Sequence, residues 1–198
     1  MTQPRRMIIG ISGATGVIYG VRLLQVLKQQ GIETHLVVTK AGEMTRAYET
    51  DLSMHQLRDL ADVWYPIADV GAAISSGSFK TMGMIIAPCS IKSLSAIANS
   101  YDADLLTRAA DVQLKEGRPV LLLLRETPLH IGHLRLMVQA AENGAVIMPP
   151  APAFYGRPKT VDDIINSTVG RALARIGIQN TLYFEWLGMS KERPPADE

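Results

Sequence analysis

The sequence predicts a three-layer α/β fold, a doubly wound parallel sheet with helices on both faces. Three observations carry this. Short apolar, β-branched runs alternate with segments of helical period. The first run ends in a glycine-rich turn that opens a helix, Gly10-Ile11-Ser12-Gly13-Ala14-Thr15-Gly16. The run Val120–Leu124 is apolar throughout, as a strand buried on both faces should be. Right-handed crossovers between such strands give a doubly wound sheet, and ligands then sit beyond the carboxyl ends of the strands.

In order, Met7–Ile11 reads as the first strand. Val17–Gln30 follows as a helix, with Val17, Val21, Leu24 and Leu27 on one face. Thr34–Val38 is the second strand. Ala41–Glu49 and Met54–Asp62 read as helices, and Ile67–Ser78 as irregular. Met84–Ala87 is a third strand, stopped by Pro88. A helix starts near Ser90. Leu105–Glu116 is a helix closed by Gly117. Val120–Leu124 is the fourth strand, Gly132–Glu142 a helix, and Ala145–Met148 the fifth strand before Pro149-Pro150. Val161–Ile176 is the last long helix. The expectation is a single α/β domain over residues 1–190 and a loose polar tail over 191–198.

Composition bounds the function. The chain has 198 residues, enough for a full core without staples. Lys and Arg number 20 against 19 Asp and Glu, so no global basic field recommends nucleic acid. Aromatics make up 6%, too few for a base-stacking platform. The single cysteine, Cys89, excludes a disulfide framework and a cysteine-based zinc site. No apolar run approaches the ~20 residues of a membrane span. Glycines 10, 13 and 16 interrupt the apolar run behind Arg5-Arg6, so the expected location is cytoplasmic.

The strand ends carry the chemistry. The first glycine turn suits a phosphate or a ring approached by backbone, or simply a tight strand-to-helix turn. Thr39-Lys40 follows the second strand, where an NAD enzyme would place an acidic residue. The pair suits a phosphate, and Thr39 is equally a helix cap. Ser90-Ile91-Lys92-Ser93 puts two hydroxyls and a cation at a helix start. Cys89 beside them reads as a small buried hydrophobe, because no base adjoins it. Arg125-Glu126 emerges where the fourth strand ends, as a ligand-edge pair or a weak surface ion pair. Phe154-Tyr155 sits on a stiff proline loop. Arg108, Asp111 and Lys115 share one helix face, as a binding stripe or a solvated one. Arg171 interrupts an apolar stretch of the last helix. His130 and His133 have i, i+3 spacing, but no carboxylate motif accompanies them to make a metal site. Neither a G-x-S-x-G elbow nor a P-loop is present. Together these features suggest a tightly held phosphorylated ring and a second anionic ligand.

Several segments in order resemble the UbiX/Pad-type flavin prenyltransferases, most of all the members tied to phenolic-acid decarboxylase systems. They are SGATG, THLVVTKAG with YETD, ISSGSF, PCSIKSLSAI, LLTRAADVQLKEGRPVLLLLRETPL, MPPAPAFYGRP and TVDDII. The resemblance spans about residues 8–187. It implies a flavodoxin-like Rossmann fold and a homododecamer. It implies transfer of a dimethylallyl group from dimethylallyl monophosphate to N5 and C6 of reduced FMN without a metal. The prenylated FMN would serve a UbiD-type aromatic acid decarboxylase. Gly13, Ala14, Thr15, Thr39, Ser90, Ile91, Lys92, Ser93 and Arg125 match the family's FMN-binding positions. Tyr155 and Arg171 match residues holding the dimethylallyl phosphate, and Trp186 an aromatic near the C-terminal end that covers the site. Glu49, Arg108, Lys115 and Glu126 match polar residues around the reacting centre and are the expected catalytic set. Departures are Ser12 for a commoner threonine, Met82 for a common aspartate, and HLRLM at His133–Met137 for HLENM.

Rival readings are an FMN-binding decarboxylase on the same fold, a non-catalytic flavin carrier and an NAD(P)-dependent reductase. The first would carry a different substrate loop in place of PPAPAFYGRP. A carrier needs no proton relay such as Glu49, Lys115 and Glu126. A reductase for NAD would need an acidic residue after the second strand.

Overall fold

Burial on both faces puts β1 (Arg6–Ile11) at the centre of the sheet: every residue from Met7 to Ile11 is buried. The computed structural model describes residues 5–188, so the expected boundary at 190 and the tail lie outside the described residues. Six parallel strands run in the order β3-β2-β1-β4-β5-β6. These are β2 (Glu33–Val38), β3 (Val63–Tyr65), β4 (Met84–Cys89), β5 (Val120–Leu124) and β6 (Val146–Ile147). The helices are α1 (Val17–Gln29), α2 (Lys40–Glu49), α3 (Met54–Asp59), α4 (Ile91–Ala98), α5 (Leu105–Lys115), α6 (Ile131–Glu142) and α7 (Val161–Arg175). Without the short edge strand β3, the strands follow the flavodoxin-like order.

The period of two in β1 builds two cores. Met7, Ile9 and Ile11 pack against α1 and α7 through Val21, Leu24, Val169 and Leu173. Ile8 faces the other way, with Met84 and Ile86, onto Leu94 of α4 and Leu105, Leu106 and Ala109 of α5. Three layers result, and the chain reverses its direction of strand addition between β1 and β4.

Most boundaries shift by a single residue, and larger differences lie at β3, β4 and β6. Asp62 was expected to end a helix, but α3 stops at Asp59 and Val63–Tyr65 forms the edge strand β3. A three-residue strand offers too short a run to show period two. β4 continues past Pro88, because Cys89 still pairs with Leu124 after a register shift following Ile86. Proline removes one ladder donor there without ending the strand. β6 is reduced to Val146–Ile147.

Candidate active site

The carboxyl ends of β1 and β4 are tied together at the switch point by Ser12. Its hydroxyl donates to the Pro88 carbonyl at 3.0 Å and accepts from the Ser90 amide at 2.8 Å. Ser12 is fully buried, so neither bond competes with water. Beside this tie opens a cleft of about 790 Å³. Its polar lining comes from Thr39, Lys40, Ser90, Lys92, Ser93, Asp104 and Glu126. Met44, Ile67, Val70 and Ile91 supply apolar wall.

Each cleft residue is placed by a local rule. Gly13 admits the first turn of α2: a Cβ at Gly13 would lie 2.3 Å from the Ala41 Cβ. Thr39 caps α2, accepting from the Gly42 amide at 3.0 Å, so its hydroxyl is partly committed to the helix. Ser90 caps α4 by accepting from the Ser93 amide and also donates to the Ser93 hydroxyl at 3.2 Å. Lys40 and Lys92 are exposed at the first residues or first turn of α2 and α4. Two helix N-termini and two ammonium groups therefore converge on one cleft, an arrangement that suits an anion. Its apolar walls suit a flat ring system. A phosphorylated flavin fits this donor set.

The other expected residues fall into separate groups. Ala14 and Thr15 lie on the same turn as Gly13, and Arg125 follows β5 with its amide bonded to the Cys89 carbonyl at 3.0 Å. Glu49 caps α1: its Oε2 accepts from the Gly16 amide at 2.8 Å and the Val17 amide at 3.0 Å. This carboxylate sits on the positive end of α1, immediately behind the glycine turn. Tyr155 packs with Phe184 and Trp186 at ring separations of 5.9 and 5.4 Å. Arg171 lies over the Tyr183 ring at 5.4 Å. Tyr155 also borders a second hollow of about 430 Å³ with Lys159 and Ser167. Tyr155 on the loop before α7, Arg171 on α7, and Tyr183, Phe184 and Trp186 after it form a C-terminal group apart from the cleft lining.

Arg108 and Lys115 lie on α5, which runs from Asp104 at the cleft down to the opposite sheet edge. Arg108 pairs with Asp102 at 2.9 Å and Asp111 at 3.5 Å. Lys115 contacts Glu116 at 3.3 Å, just before the turn into β5. Glu126 follows β5, so a five-residue strand, about 16 Å long, separates the edges that carry the two. Within one chain Lys115 does not reach the cleft.

Residue reasoning singled out Thr39-Lys40 as a phosphate pair but missed Ser12 and Asp104 as parts of the site. Ser12 is signalled only as a hydroxyl ending an otherwise apolar strand. Asp104 lines the cleft while capping α5, accepting from the Thr107 amide at 3.0 Å. Cys89 is fully buried, and burial pushes its thiol up to about 12. The His130 and His133 rings meet at a tilt, centroids 3.6 Å apart, and His130 Nδ1 accepts from the Gly132 amide at 3.0 Å. Among the described residues no cluster of three or more His, Cys, Asp or Glu is placed to hold a metal. None of the described helices is long and apolar enough to cross a membrane.

The Flavoprotein family model matches residues 1–173. The flavin prenyltransferase UbiX of Thauera aromatica is 57% identical over 191 residues, 96% of this chain and 98% of its own. The crystal structure of AnUbiX (PadA1) in complex with FMN and dimethylallyl pyrophosphate superposes with a TM-score of 0.92 at 43% identity, over 95% of this chain and all of that one. A dodecameric FMN-dependent UbiX-like decarboxylase from Escherichia coli O157:H7 gives 0.89 at 45% identity, over 92% of this chain and 100% of its own.

Proposed function

We infer the function from descent: this chain belongs to the Flavoprotein family and, within it, to the UbiX-type flavin prenyltransferases. It joins a dimethylallyl group to reduced FMN, with bonds at N5 and C6. The observation that carries this is the cleft itself. It gathers Gly13, Thr39, Ser90, Ile91, Lys92, Ser93 and Glu126 in a chain similar over nearly its whole length to flavin prenyltransferases. The prenylated flavin would pass to a UbiD-type decarboxylase of aromatic acids.

The reduced flavin supplies the nucleophilic positions. Lys40, Lys92 and the amides opening α2 and α4 would hold its phosphate, with the Ser90 and Ser93 hydroxyls as further donors. Met44, Ile67 and Val70 keep water from the ring and from allylic charge developing beside it. Glu126, on the cleft wall, would receive or return a proton at its carboxylate as the donor's phosphate leaves. Arg125 and Arg171 would stabilise that phosphate, and Tyr155 would donate a hydrogen bond to it. Glu49 holds the α1 amides and thereby the shape of the glycine turn.

Arg108, Lys115, Tyr155, Arg171 and Trp186 enter this scheme most simply from neighbouring copies. Lys115 sits on the wrong sheet edge to act in its own cleft. The exposed aromatics Phe154, Tyr155 and Trp186 are apolar surface that a partner would cover. We therefore place the site at contacts between copies in a dodecamer, the state of the Escherichia coli O157:H7 relative.

The test is anaerobic incubation with reduced FMN, a metal chelator and either dimethylallyl monophosphate or the pyrophosphate, followed by mass spectrometry of the extracted flavin. A gain of one C5H8 unit with the monophosphate is expected. FMN recovered unmodified with both donors would overturn the reading.

A further inference from the structure

His35 lies deep on β2, only 2% exposed, and no step above uses it. Both ring nitrogens are engaged. Nε2 lies 2.9 Å from Glu33 Oε1 and Nδ1 lies 2.9 Å from the Tyr65 hydroxyl. An ionised carboxylate only accepts, so Nε2 carries the proton and Nδ1 is the bare acceptor. Tyr65 then donates to Nδ1. The Phe79 ring closes over the imidazole edge-on at 5.1 Å.

Tyr65 is the last residue of β3, and the chain passes through Pro66 to Ile67, Ala68 and Val70, which wall the cleft. The far side of this wall is held by the Leu105 amide, which donates to the Ile67 carbonyl at 3.0 Å. Among the described residues, the Tyr65 hydroxyl makes the one side-chain hydrogen bond of the 65–70 stretch. We infer that His35 is a positioning residue for the flavin cleft, acting through Tyr65 to hold the Ile67–Val70 wall, and that protonation of His35 releases this wall. The consequence for FMN rests on the function proposed above.

Protonation turns both ring nitrogens into donors. Tyr65 would then have to turn its own hydrogen away from Nδ1, and an imidazolium would sit in the buried position of His35, where water does not reach. The charged groups around the ring are Arg6 of β1, Glu33 of β2 and Asp62 ahead of β3. Arg6 bonds Glu33 at 3.2 Å and lies over Phe79 at 4.6 Å. Asp62 is turned away, holding the Thr34 amide and hydroxyl at 2.7 and 2.9 Å. Arg118 touches this region only through the Gly77 and Phe79 carbonyls. Burial pulls the His35 proton affinity below the usual 6.5, opposed in part by Glu33. The folded state therefore binds fewer protons than the unfolded one. The contribution of neutral His35 is complete above the usual histidine range and declines as pH falls below about 6.5.

The test has two arms, each comparing the full-length protein with Tyr65→Phe and His35→Gln. In the flavin-free protein, amide-exchange protection at Asp69 and Val70 is measured between pH 7.5 and 5.5. The parent should lose about fivefold protection, corrected for intrinsic exchange, while both variants stay flat. In the second arm FMN affinity is titrated over the same range. Taking the ratio of parent to variant at each pH cancels ionisation of the FMN phosphate. That ratio should fall about fivefold toward pH 5.5. Equal pH dependence in parent and variants, in either arm, overturns the inference. Should a variant fail to fold, nitrogen-15 shifts of His35 in the parent decide. A ring that starts as the Nε2–H tautomer and titrates together with Asp69 and Val70 protection upholds the inference. A ring that titrates without them, or not at all, ends it. Failure to bind FMN at any pH would remove the proposed function and leave the exchange arm standing.

Discussion

Ser12 shows how much a single buried hydroxyl can carry. Ser12→Ala would leave the Ser90 amide without its acceptor at the switch point. An unsatisfied buried donor costs about 1–3 kcal/mol. Thermal denaturation should show that loss, and FMN affinity should fall with it because α4 begins at this tie. Glu126→Gln makes the complementary prediction. The side chain lies on the cleft wall and, among the described residues, accepts only from its neighbour Thr127, at 3.1 Å. FMN binding should survive the change while prenyl transfer slows by about 100-fold or more, read by flavin mass spectrometry. Cys89 predicts a negative result. A buried thiol displaced to about 12 presents almost no thiolate at pH 8. Iodoacetamide should label it in urea and leave the native protein untouched. The contrast between Cys89 and Ser90 was readable from the residues, since one lacked a base and the other opened a helix. The double duty of Thr39 and Glu49 was not. Each needs to be seen against the amides it satisfies, and Glu49 meets those of Gly16 and Val17 across more than thirty residues of chain.

At the scale of elements, close approach and capping set the tolerances. α1 crosses the sheet at Gly20, where a Cβ would fall 2.5 Å from the Ala87 carbonyl oxygen. Gly20→Ala should therefore destabilise despite alanine's better helix propensity, by about 1–3 kcal/mol. The N-terminus of α7 is fixed by a reciprocal cap between Thr160 and Asp163. The amides of Lys159 and Thr160 hold the Asp163 carboxyl below its usual range. Thr160→Ala should cost about 1 kcal/mol, seen as a lower urea midpoint with unchanged slope. The long helices were legible by their period, and the long strands by unbroken apolar runs of several residues. β3 was not, having only three residues. The placement of α5 was half legible: the spacing of Arg108, Asp111 and Lys115 puts them on one face, yet nothing in spacing says that the helix carries Lys115 away from the cleft.

For the whole molecule the question is what covers its apolar surface. α6 leaves Ile131 63% and Val138 58% exposed, with Leu134 between them, on the side away from its packing against α4. A lone subunit rarely leaves such a stripe to water. With the dodecamer proposed above, Val138→Glu should lower the assembly mass in sedimentation while leaving the circular dichroism spectrum of the subunit intact. The central position of β1 has a consequence of another kind, in the timing of synthesis. Its partners are β2 and β4, and β4 begins only at Met84. A nascent chain carries an incomplete strand edge for all of the time needed to translate the intervening residues. At about 5–20 residues per second that interval lasts several seconds. Until residues 84–89 clear the ribosome, a strand destined for burial from Met7 to Ile11 has one neighbour and an open side. The window in which a chaperone would meet this protein is therefore set by the position of β4 in the message.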